Sequence, residues 1–187
     1  MNINKKYALI SVFDKTGLSY ICQTLAKFKI GLISTGSTAE TIKKAGFQCK
    51  LVSDLTKFKE ILDGRVKTLH PKIHASILHD RKNKNHIHTF AELSFPIIDF
   101  VIVNLYPFEK IIQTTKNVSK CIEMIDIGGS TLLRSAAKNY KFITTINNIN
   151  DYDIFIKNIL SNNGKTTLSF RKLMAQKIYE TTASYDS

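Results

Sequence analysis

The residues best suited to chemistry stand in one stretch of the chain, which begins at Asp126. Two glycines, Gly128 and Gly129, follow this carboxylate and permit a backbone turn that a residue with a Cβ would resist. The segment 131–138 then has apolar residues at helical spacing, and Lys138 ends it twelve residues after Asp126. A carboxylate at the start of a helix and an amine near its end suit acid–base chemistry on a polar small molecule. An N-capping Asp and a solvated Lys are the structural alternative.

Two other segments have the composition of anion-binding sites. Thr35-Gly36-Ser37-Thr38 lies between a predicted strand and a predicted helix, where backbone N–H groups and hydroxyls favour a phosphate. It lacks the Gly-Lys-Ser/Thr ending of a P-loop. In the segment 63–71, an extended backbone would point Arg65 and Lys67 the same way, as needed to clamp an anion or polarise a carbonyl. A Gly/Ser-rich structural turn and an exposed charged loop would explain the same two segments without a ligand.

Tyrosine and histidine residues complete the set of candidates. Tyr106 precedes Pro107, which holds the backbone extended, so the Tyr106 hydroxyl would either donate a hydrogen bond in a site or lie half-buried at a strand end.

Two histidine pairs stand at 70/74 and 86/88, without acidic or cysteine partners at ligand spacing. We therefore predict that the protein has no metal site.

Short apolar runs that alternate with helical patterns are the elements that must position these residues. The predicted strands are 7–13, 31–34, 47–52, 97–103 and 142–146, and the predicted helices are 18–28, 39–45, 131–138, 151–160 and 168–182. This order predicts a three-layer α/β fold with a parallel sheet covered by helices on both faces. We predict one domain over residues 1–148, followed by a C-terminal helical appendage over residues 149–187.

The predicted sheet also explains how distant polar residues would meet. In an open parallel sheet, ligands bind beyond the carboxyl ends of the strands. Four polar segments follow such ends or precede the next helix: 11–15, 34–38, 104–107 and the stretch from Asp126. We therefore expect them to form one site at the carboxyl edge of the sheet.

Composition argues against several classes of protein. The 187 residues carry a net charge of +12, but only four of the 27 basic residues are arginine and the lysines are scattered, which weakens a nucleic-acid interpretation. Three widely spaced cysteines predict free thiols in a reducing cytosol. The apolar runs are too short to span a bilayer, and the N-terminal one has no cleavage site. We expect a soluble, cytoplasmic protein that binds neither nucleic acid nor membranes.

Taken together, the segments resemble the N-terminal IMP cyclohydrolase part of the bifunctional purine-biosynthesis family, which joins AICAR transformylase to IMP cyclohydrolase. The matching segments, in the family's order, are 11–17, 34–39, 63–71, 104–108 and 125–139, and the tail 181–186 is similar to the family's connection into its second domain. The resemblance implies a methylglyoxal-synthase-like fold, a homodimer, and neither metal nor coenzyme. It also implies that residues 149–187 lead toward a transformylase domain that is absent from this sequence.

The reaction implied by the resemblance is the last step of de novo purine biosynthesis. The carboxamide nitrogen of formyl-AICAR attacks the formyl carbon of the same molecule, and water leaves to give IMP. By motif position, the resemblance implies Lys138 as the proton donor and acceptor, with Lys67, Tyr106 and Asp126 as its partners. The implied substrate-binding residues are Ser11, Asp14, Lys15, Ser34, Thr35, Gly36, Ser37, Thr38, Arg65, Val66, Thr68, Val103, Asn104, Ile127 and Gly128.

Two departures from the family pattern fall at the implied nucleotide site. Phe13 stands where the family has serine, and Ser37 stands where it has a second glycine. Phe13 lacks a hydroxyl and adds bulk, and Ser37 is less free to take a positive φ, so both would weaken binding. They leave open a catalytically weak nucleotide-binding module, as in the allosteric domain of carbamoyl-phosphate synthetase. Methylglyoxal synthase and a nucleic-acid binder with steeply salt-dependent affinity are two further hypotheses for the function.

Overall fold

The computed structural model describes residues 5–187, apart from the side chain of Lys110. The first four residues of the predicted 1–148 domain therefore lie outside the described part. The strands are β1 (Lys6–Val12), β2 (Gly31–Ser34), β3 (Cys49–Leu51), β4 (Ile97–Asn104) and β5 (Thr144–Ile146). All neighbouring strands pair in parallel, in the order β3-β2-β1-β4-β5. The predicted parallel α/β sheet is confirmed.

Helices connect the strands and cover both faces of the sheet. They are α1 (Leu18–Lys27), α2 (Gly36–Lys44), α3 (Val52–Thr56), α4 (Pro71–Leu78), α5 (Lys84–Leu93), α6 (Phe108–Thr114), α7 (Val118–Glu123), α8 (Ile127–Lys138), α9 (Tyr152–Ser161) and α10 (Leu168–Asp186). None of these helices, within residues 5–187, is both long and apolar enough to cross a membrane.

Strand β1 shows why the sheet is buried on both sides. Ala8 and Ile10 belong to one buried apolar cluster, whereas Tyr7 and Leu9 belong to another on the opposite face, as the alternation of side chains along a strand requires. The first cluster takes residues from α1 and α9, and the second takes residues from α4 and α8. This double coverage explains why the strands appear as nearly continuous apolar runs in the sequence.

The two C-terminal helices are part of this core. Phe155 of α9 and Met174 of α10 lie in the first cluster, and Ile178 of α10 lies in the second; these side chains are at most 1% exposed. Both helices therefore bury their apolar faces on the same sheet, and the predicted boundary at residue 148 stays a prediction.

Two helices begin earlier than the sequence predicts, and both differences affect the candidate site. Helix α2 begins at Gly36 rather than at residue 39, and α8 begins at Ile127 rather than at residue 131. The first turn of each helix contains Gly and Ser, which favour turns over helix interiors, so the sequence pattern did not indicate where either helix begins. The polar segments at 35–38 and 126–130 are consequently helix N-termini, and not loops that precede helices.

Candidate active site

Four chain segments meet at the carboxyl edge of the sheet. β1 ends at Val12, β2 at Ser34 and β4 at Asn104, while α8 begins after Asp126. Because a connecting helix runs antiparallel to the strands of a parallel sheet, the start of α8 lies at the edge where the strands end.

The Asn104 side chain organises the loop after β1. Its Oδ1 accepts hydrogen bonds from the backbone N–H groups of Phe13 (2.6 Å) and Asp14 (3.0 Å), and its Nδ2 donates to the Asp14 carbonyl (2.8 Å). Lys15 Nζ donates to the Phe13 carbonyl at 3.2 Å. Asn104 thus fixes the backbone that presents Asp14 and Lys15 at the edge.

Hydroxyls join the second strand and α2 to β1. Ser34 Oγ donates to the Ile10 carbonyl (2.6 Å), and Thr38 Oγ1 donates to the Val12 carbonyl (3.0 Å) while accepting from the Val12 N–H (3.3 Å). Thr35 is buried and is the N-cap of α2, and its side chain makes no capping hydrogen bond. Three of the four predicted phosphate-loop residues therefore lie in the first turn of α2, where the helix dipole favours an anion.

The backbone at Ser37 does not require the positive φ that only glycine adopts easily. Gly36 has a φ of +46°, whereas Ser37 is not among the described residues with positive φ. The glycine that the turn requires is thus present, and serine occupies the next position without strain there. Both Gly36 and Ser37 are exposed at the edge.

Asp126 is the N-cap of α8. Its Oδ1 accepts the backbone N–H of Gly129 at 2.7 Å. A Cβ at Gly129 would lie 2.3 Å from Asp126 Oδ2 and 2.8 Å from Leu105 Cδ2, so glycine is needed here for close approach rather than for a turn. Burial raises the pKa of the Asp126 carboxyl, and the Gly129 hydrogen bond and the charge of Lys67 partly offset that effect.

This raised pKa makes the stability contribution of Asp126 depend on pH. An acid whose pKa is higher in the folded chain than in the unfolded chain destabilises the fold when it is ionised. For Asp126 this destabilisation is absent below pH 3.8, the ordinary pKa of the carboxyl, and is complete above the folded-state pKa. We therefore expect Asp126→Asn, which keeps an N-cap acceptor, to gain stability relative to the parent at neutral pH and to lose that gain as pH falls toward about 4. Thermal unfolding across this range measures the difference, and a gain that grows as pH falls would contradict it.

Lys67 and Thr68 lie beside the start of α8. The positive charge of Lys67 is near enough to lower the pKa of Asp126. Thr68 is 3% exposed, and its Oγ1 lies 3.0 Å from where a Cβ at Gly128 would stand. Gly128 therefore lets the Thr68 hydroxyl approach the first turn of α8, and Val66 is half-buried on the same segment.

Arg65 makes an ion pair within the chain, and its predicted role beside Lys67 in holding an anion stays a prediction. The backbone before it is a short helical turn over Leu62–Gly64 and not an extended strand, and the guanidinium pairs with the Glu123 carboxylate of α7 through Nε and Nη2. The Arg65 side chain is 64% exposed.

Tyr106 and Phe13 contact each other at the edge. Their ring centroids lie 5.1 Å apart, and Phe13 is 47% exposed. The residue that departs from the family pattern thus packs on a predicted catalytic residue.

Tyr185, which the motifs did not single out, supports the Asp126 backbone. Its hydroxyl accepts the Asp126 N–H at 3.1 Å and donates to the Met124 carbonyl at 3.0 Å. Its ring lies 6.2 Å from that of Phe108. Only the family-like tail 181–186 pointed to this region, and no local pattern predicts a contact across 59 residues.

Lys138 is not brought to this edge within one chain. It is the exposed last residue of α8, and a helix of twelve residues spans ~18 Å from Asp126 to the amino-terminal edge of the sheet. The sequence predicts the helix that separates the carboxylate from the amine, and the family resemblance assigns both residues to one site.

The other predicted binding residues differ in how exposed they are to solvent. Ser11 is half-buried and lies opposite Val103 across β1 and β4, and Val103 is 1% exposed. Ile127 is 60% exposed. Val103 is therefore buried in the sheet, whereas Ile127 presents an exposed apolar side chain.

The histidine pairs make contacts within the chain. His70 caps α4 by accepting the Lys72 N–H at 3.1 Å, and His74 Nδ1 lies 3.1 Å from Ser135 Oγ. His86 Nδ1 accepts the Asp80 N–H at 3.0 Å.

Comparisons with known proteins identify the family and the fold. A family model described as "MGS-like domain" matches residues 17–131, and one described as "AICARFT/IMPCHase bienzyme" matches residues 136–187. The "Bifunctional purine biosynthesis protein PurH" of Chlorobium chlorochromatii is 45% identical over 183 residues, which are 97% of this chain and 35% of that protein. Proteins of the same name from Bradyrhizobium diazoefficiens and Mycobacterium marinum are each 44% identical over 96% of this chain and 34% of theirs.

The chain thus spans about a third of the length of the curated relatives it matches. Among solved structures, that of ForH aligns with a TM-score of 0.86 at 26% identity and covers 98% of this chain and 96% of its own. The fold is shared over nearly the full length of both chains.

Proposed function

Since this chain belongs to the MGS-like domain family, with a similarity that continues into the AICARFT/IMPCHase bienzyme, we propose that it is an IMP cyclohydrolase that acts in purine biosynthesis. Its substrate is formyl-AICAR and its product is IMP. The observation that carries the proposal is the carboxylate of Asp126, held 2.7 Å from the Gly129 N–H at a helix start and next to the cation of Lys67.

The chemistry requires two proton movements. As the carboxamide nitrogen bonds to the formyl carbon, that nitrogen must lose one proton. The formamide nitrogen loses a second proton as its C=N bond forms, and the formyl oxygen must gain both protons to leave as water when the C–O bond breaks. We assign the first role to Asp126, because its raised pKa brings it nearer to that of an effective base. We assign to Lys67 the stabilisation of charge on the oxygen, and to Tyr106 the orientation of the reacting groups.

The nucleotide's phosphate belongs, in this proposal, at the N-terminus of α2. Exposed Gly36 and Ser37 offer backbone N–H groups there, and Lys15 lies on the neighbouring loop.

One observation favours a second candidate, a nucleotide-binding module with little turnover. Phe13 packs its ring at 5.1 Å from that of Tyr106, where the family pattern has a small hydroxyl residue. Bulk at this position would reduce the space for the ribotide without removing the cations that attract it.

We also propose a homodimer in which each site uses Lys138 of the other copy. Ile127, Arg134 and Lys138 are exposed and lie along one face of α8, at positions i, i+7 and i+11. If two α8 helices pack antiparallel about a two-fold axis near residue 132, Lys138 of one copy lies beside Ile127 of the other. This arrangement allows Lys138 to act as the proton donor and acceptor although α8 separates it from Asp126 in its own chain.

Exposed apolar side chains near the same edge support an interface. Leu62 is 66% exposed, Val118 is 69% exposed and Ile122 is 55% exposed. Size-exclusion chromatography with light scattering gives the mass, and a monomer at micromolar concentration would contradict the dimer.

We also propose that the protein acts in the cytoplasm and binds neither nucleic acid nor membranes. Free thiols at Cys22, Cys49 and Cys121 support a reducing, cytoplasmic environment. The low arginine content supports the proposal that the excess positive charge does not bind nucleic acid or membranes.

Tyr185 provides a test of how the site is positioned. Tyr185→Phe removes the hydroxyl that bonds the Asp126 backbone and keeps the ring, so we expect a fall of about 3- to 10-fold in kcat with little change in KM. Steady-state kinetics measure kcat and KM separately. Tyr179→Phe, on the same helix and exposed, is the matched control and should behave as the parent chain.

The proposed function is tested by offering the chain three substrates in parallel. Formyl-AICAR should give IMP, unformylated AICAR should give no product, and dihydroxyacetone phosphate should release no methylglyoxal. Methylglyoxal release would identify methylglyoxal synthase, and affinity for DNA that falls steeply with salt would support the nucleic-acid hypothesis.

A further inference from the structure

A polar cavity of ≈ 320 Å³ lies at the amino-terminal edge of the sheet, opposite the candidate active site. It is bordered by the first residues of β1 and β5 and by the start of β4. Strand β4, with eight residues, spans roughly 25 Å, so the two edges are well separated. The cationic residues that line the cavity are Lys6, Arg81, Lys141, Lys165 and Arg171, and the acidic one is Asp99.

The single carboxylate of the cavity is already shared by two cations. Asp99 Oδ2 lies 3.0 Å from Lys6 Nζ, and its Oδ1 accepts from Arg81 Nη1 at 2.7 Å. The Asp99 side chain is 8% exposed, so this pairing is largely removed from water. One negative charge therefore balances at most one of these two positive charges.

Arg171 forms part of the cavity without a carboxylate of its own. Its Nε and Nη2 donate to the carbonyls of Tyr140 and Lys141, each at 2.9 Å, and its Nη1 donates to the Thr166 carbonyl at 2.5 Å. Three carbonyls fix the guanidinium but do not neutralise it. Burial lowers the pKa of Arg171, the charge of Arg81 lowers it further, and the charge of Asp99 partly offsets both effects.

Two lysines add charge at the opening. Lys141 and Lys165 are exposed, and neither takes part in an ion pair among residues 5–187. The cavity thus carries more positive than negative charge, and a bound oxyanion supplies the missing negative charge.

We propose that this cavity is a second binding site, distinct from the nucleotide site, for a small polyvalent oxyanion. Its chemistry, with two fixed guanidinium groups and two mobile ammonium groups, suits a phosphate group or a polycarboxylate. Its volume is at the lower end of the range for small-molecule sites, which excludes a large ligand. The site binds by charge and hydrogen bonds, and no group in it has to change protonation state.

The test is isothermal titration of the chain with inorganic phosphate and, separately, with citrate, each in the absence and in the presence of saturating IMP. We expect saturable binding of at least one of these anions, weakened at least about tenfold by Lys141→Ala/Lys165→Ala. The matched control Lys43→Ala/Lys44→Ala removes the same charge from exposed positions at the end of α2 and should bind as the parent does. Preference for phosphate or for citrate identifies the class of ligand.

Three results would overturn the proposal: no saturable binding of either anion, equal weakening in both double variants, or binding that IMP abolishes. The last would mean that phosphate occupies the nucleotide site. The comparison between the two double variants does not need IMP to bind, so a failure of the proposed cyclohydrolase function is distinguishable from a failure of this site.

Discussion

Replacing Asp126 with asparagine is expected to lower kcat for IMP formation by about 10²- to 10⁴-fold, the typical contribution of a positioned acid–base group. Asparagine keeps the oxygen that accepts the Gly129 N–H and is itself a favourable N-cap, so α8 should remain folded. What the variant loses is the negative charge and the ability to accept a proton. Turnover measured by absorbance, together with circular dichroism, separates lost chemistry from lost structure.

The matched control for this variant is Asp80→Asn. Asp80 is an exposed carboxylate that also accepts a backbone N–H, that of Lys82 at 2.8 Å, and it adjoins Arg81, which lines the cavity at the opposite edge of the sheet. Its replacement removes the same charge. It should leave kcat within about twofold of the parent value. If Asp126→Asn kept full activity while folded, the carboxylate would have no part in the reaction and the proposed mechanism would be wrong.

Mixing two inactive variants is expected to restore activity if Lys138 acts across the proposed dimer. Lys138→Ala alone should lose turnover by about 10²-fold or more, because the proton donor is gone from both sites. In a mixed dimer with Asp126→Asn, one of the two sites combines Asp126 from one copy with Lys138 from the other. Random exchange makes half of the dimers mixed, so about a quarter of the sites should be intact.

The outcome distinguishes three arrangements. Recovery near a quarter of the parent rate supports the shared site. No recovery, with both variants folded and dimeric, would mean that Lys138 serves the site of its own chain by a rearrangement of α8. Full activity of Lys138→Ala would remove this residue from the mechanism, as its distance of ~18 Å along the helix would suggest for a single chain.

The fold was predictable because the strands are buried on both faces. β1 and β4 appear in the sequence as continuous apolar runs, and their order with helices α1 and α2 predicts the parallel sheet that the structure contains. Five helices between residues 52 and 123 were not predicted. They are short or mostly exposed, and α5 and α7 bury none of their residues, so their apolar periodicity is weak.

The candidate site was less predictable, for reasons that individual residues make clear. Asn104 and Thr38 lie where strand ends meet, as the topology requires, but their hydrogen bonds hold the backbone together. The ion pair of Arg65 with Glu123 joins residues 58 positions apart. No spacing rule predicts a partner at that separation, and the contact of Tyr185 with Asp126 is hidden for the same reason.

The most direct measurement is the conversion of formyl-AICAR to IMP by the parent chain, followed by absorbance, with IMP binding measured on the same preparation. We predict saturable turnover that Asp126→Asn removes while IMP still binds. Saturable IMP binding by a folded parent chain that forms no IMP would contradict the account, and would identify the protein as a nucleotide-binding module of the same fold.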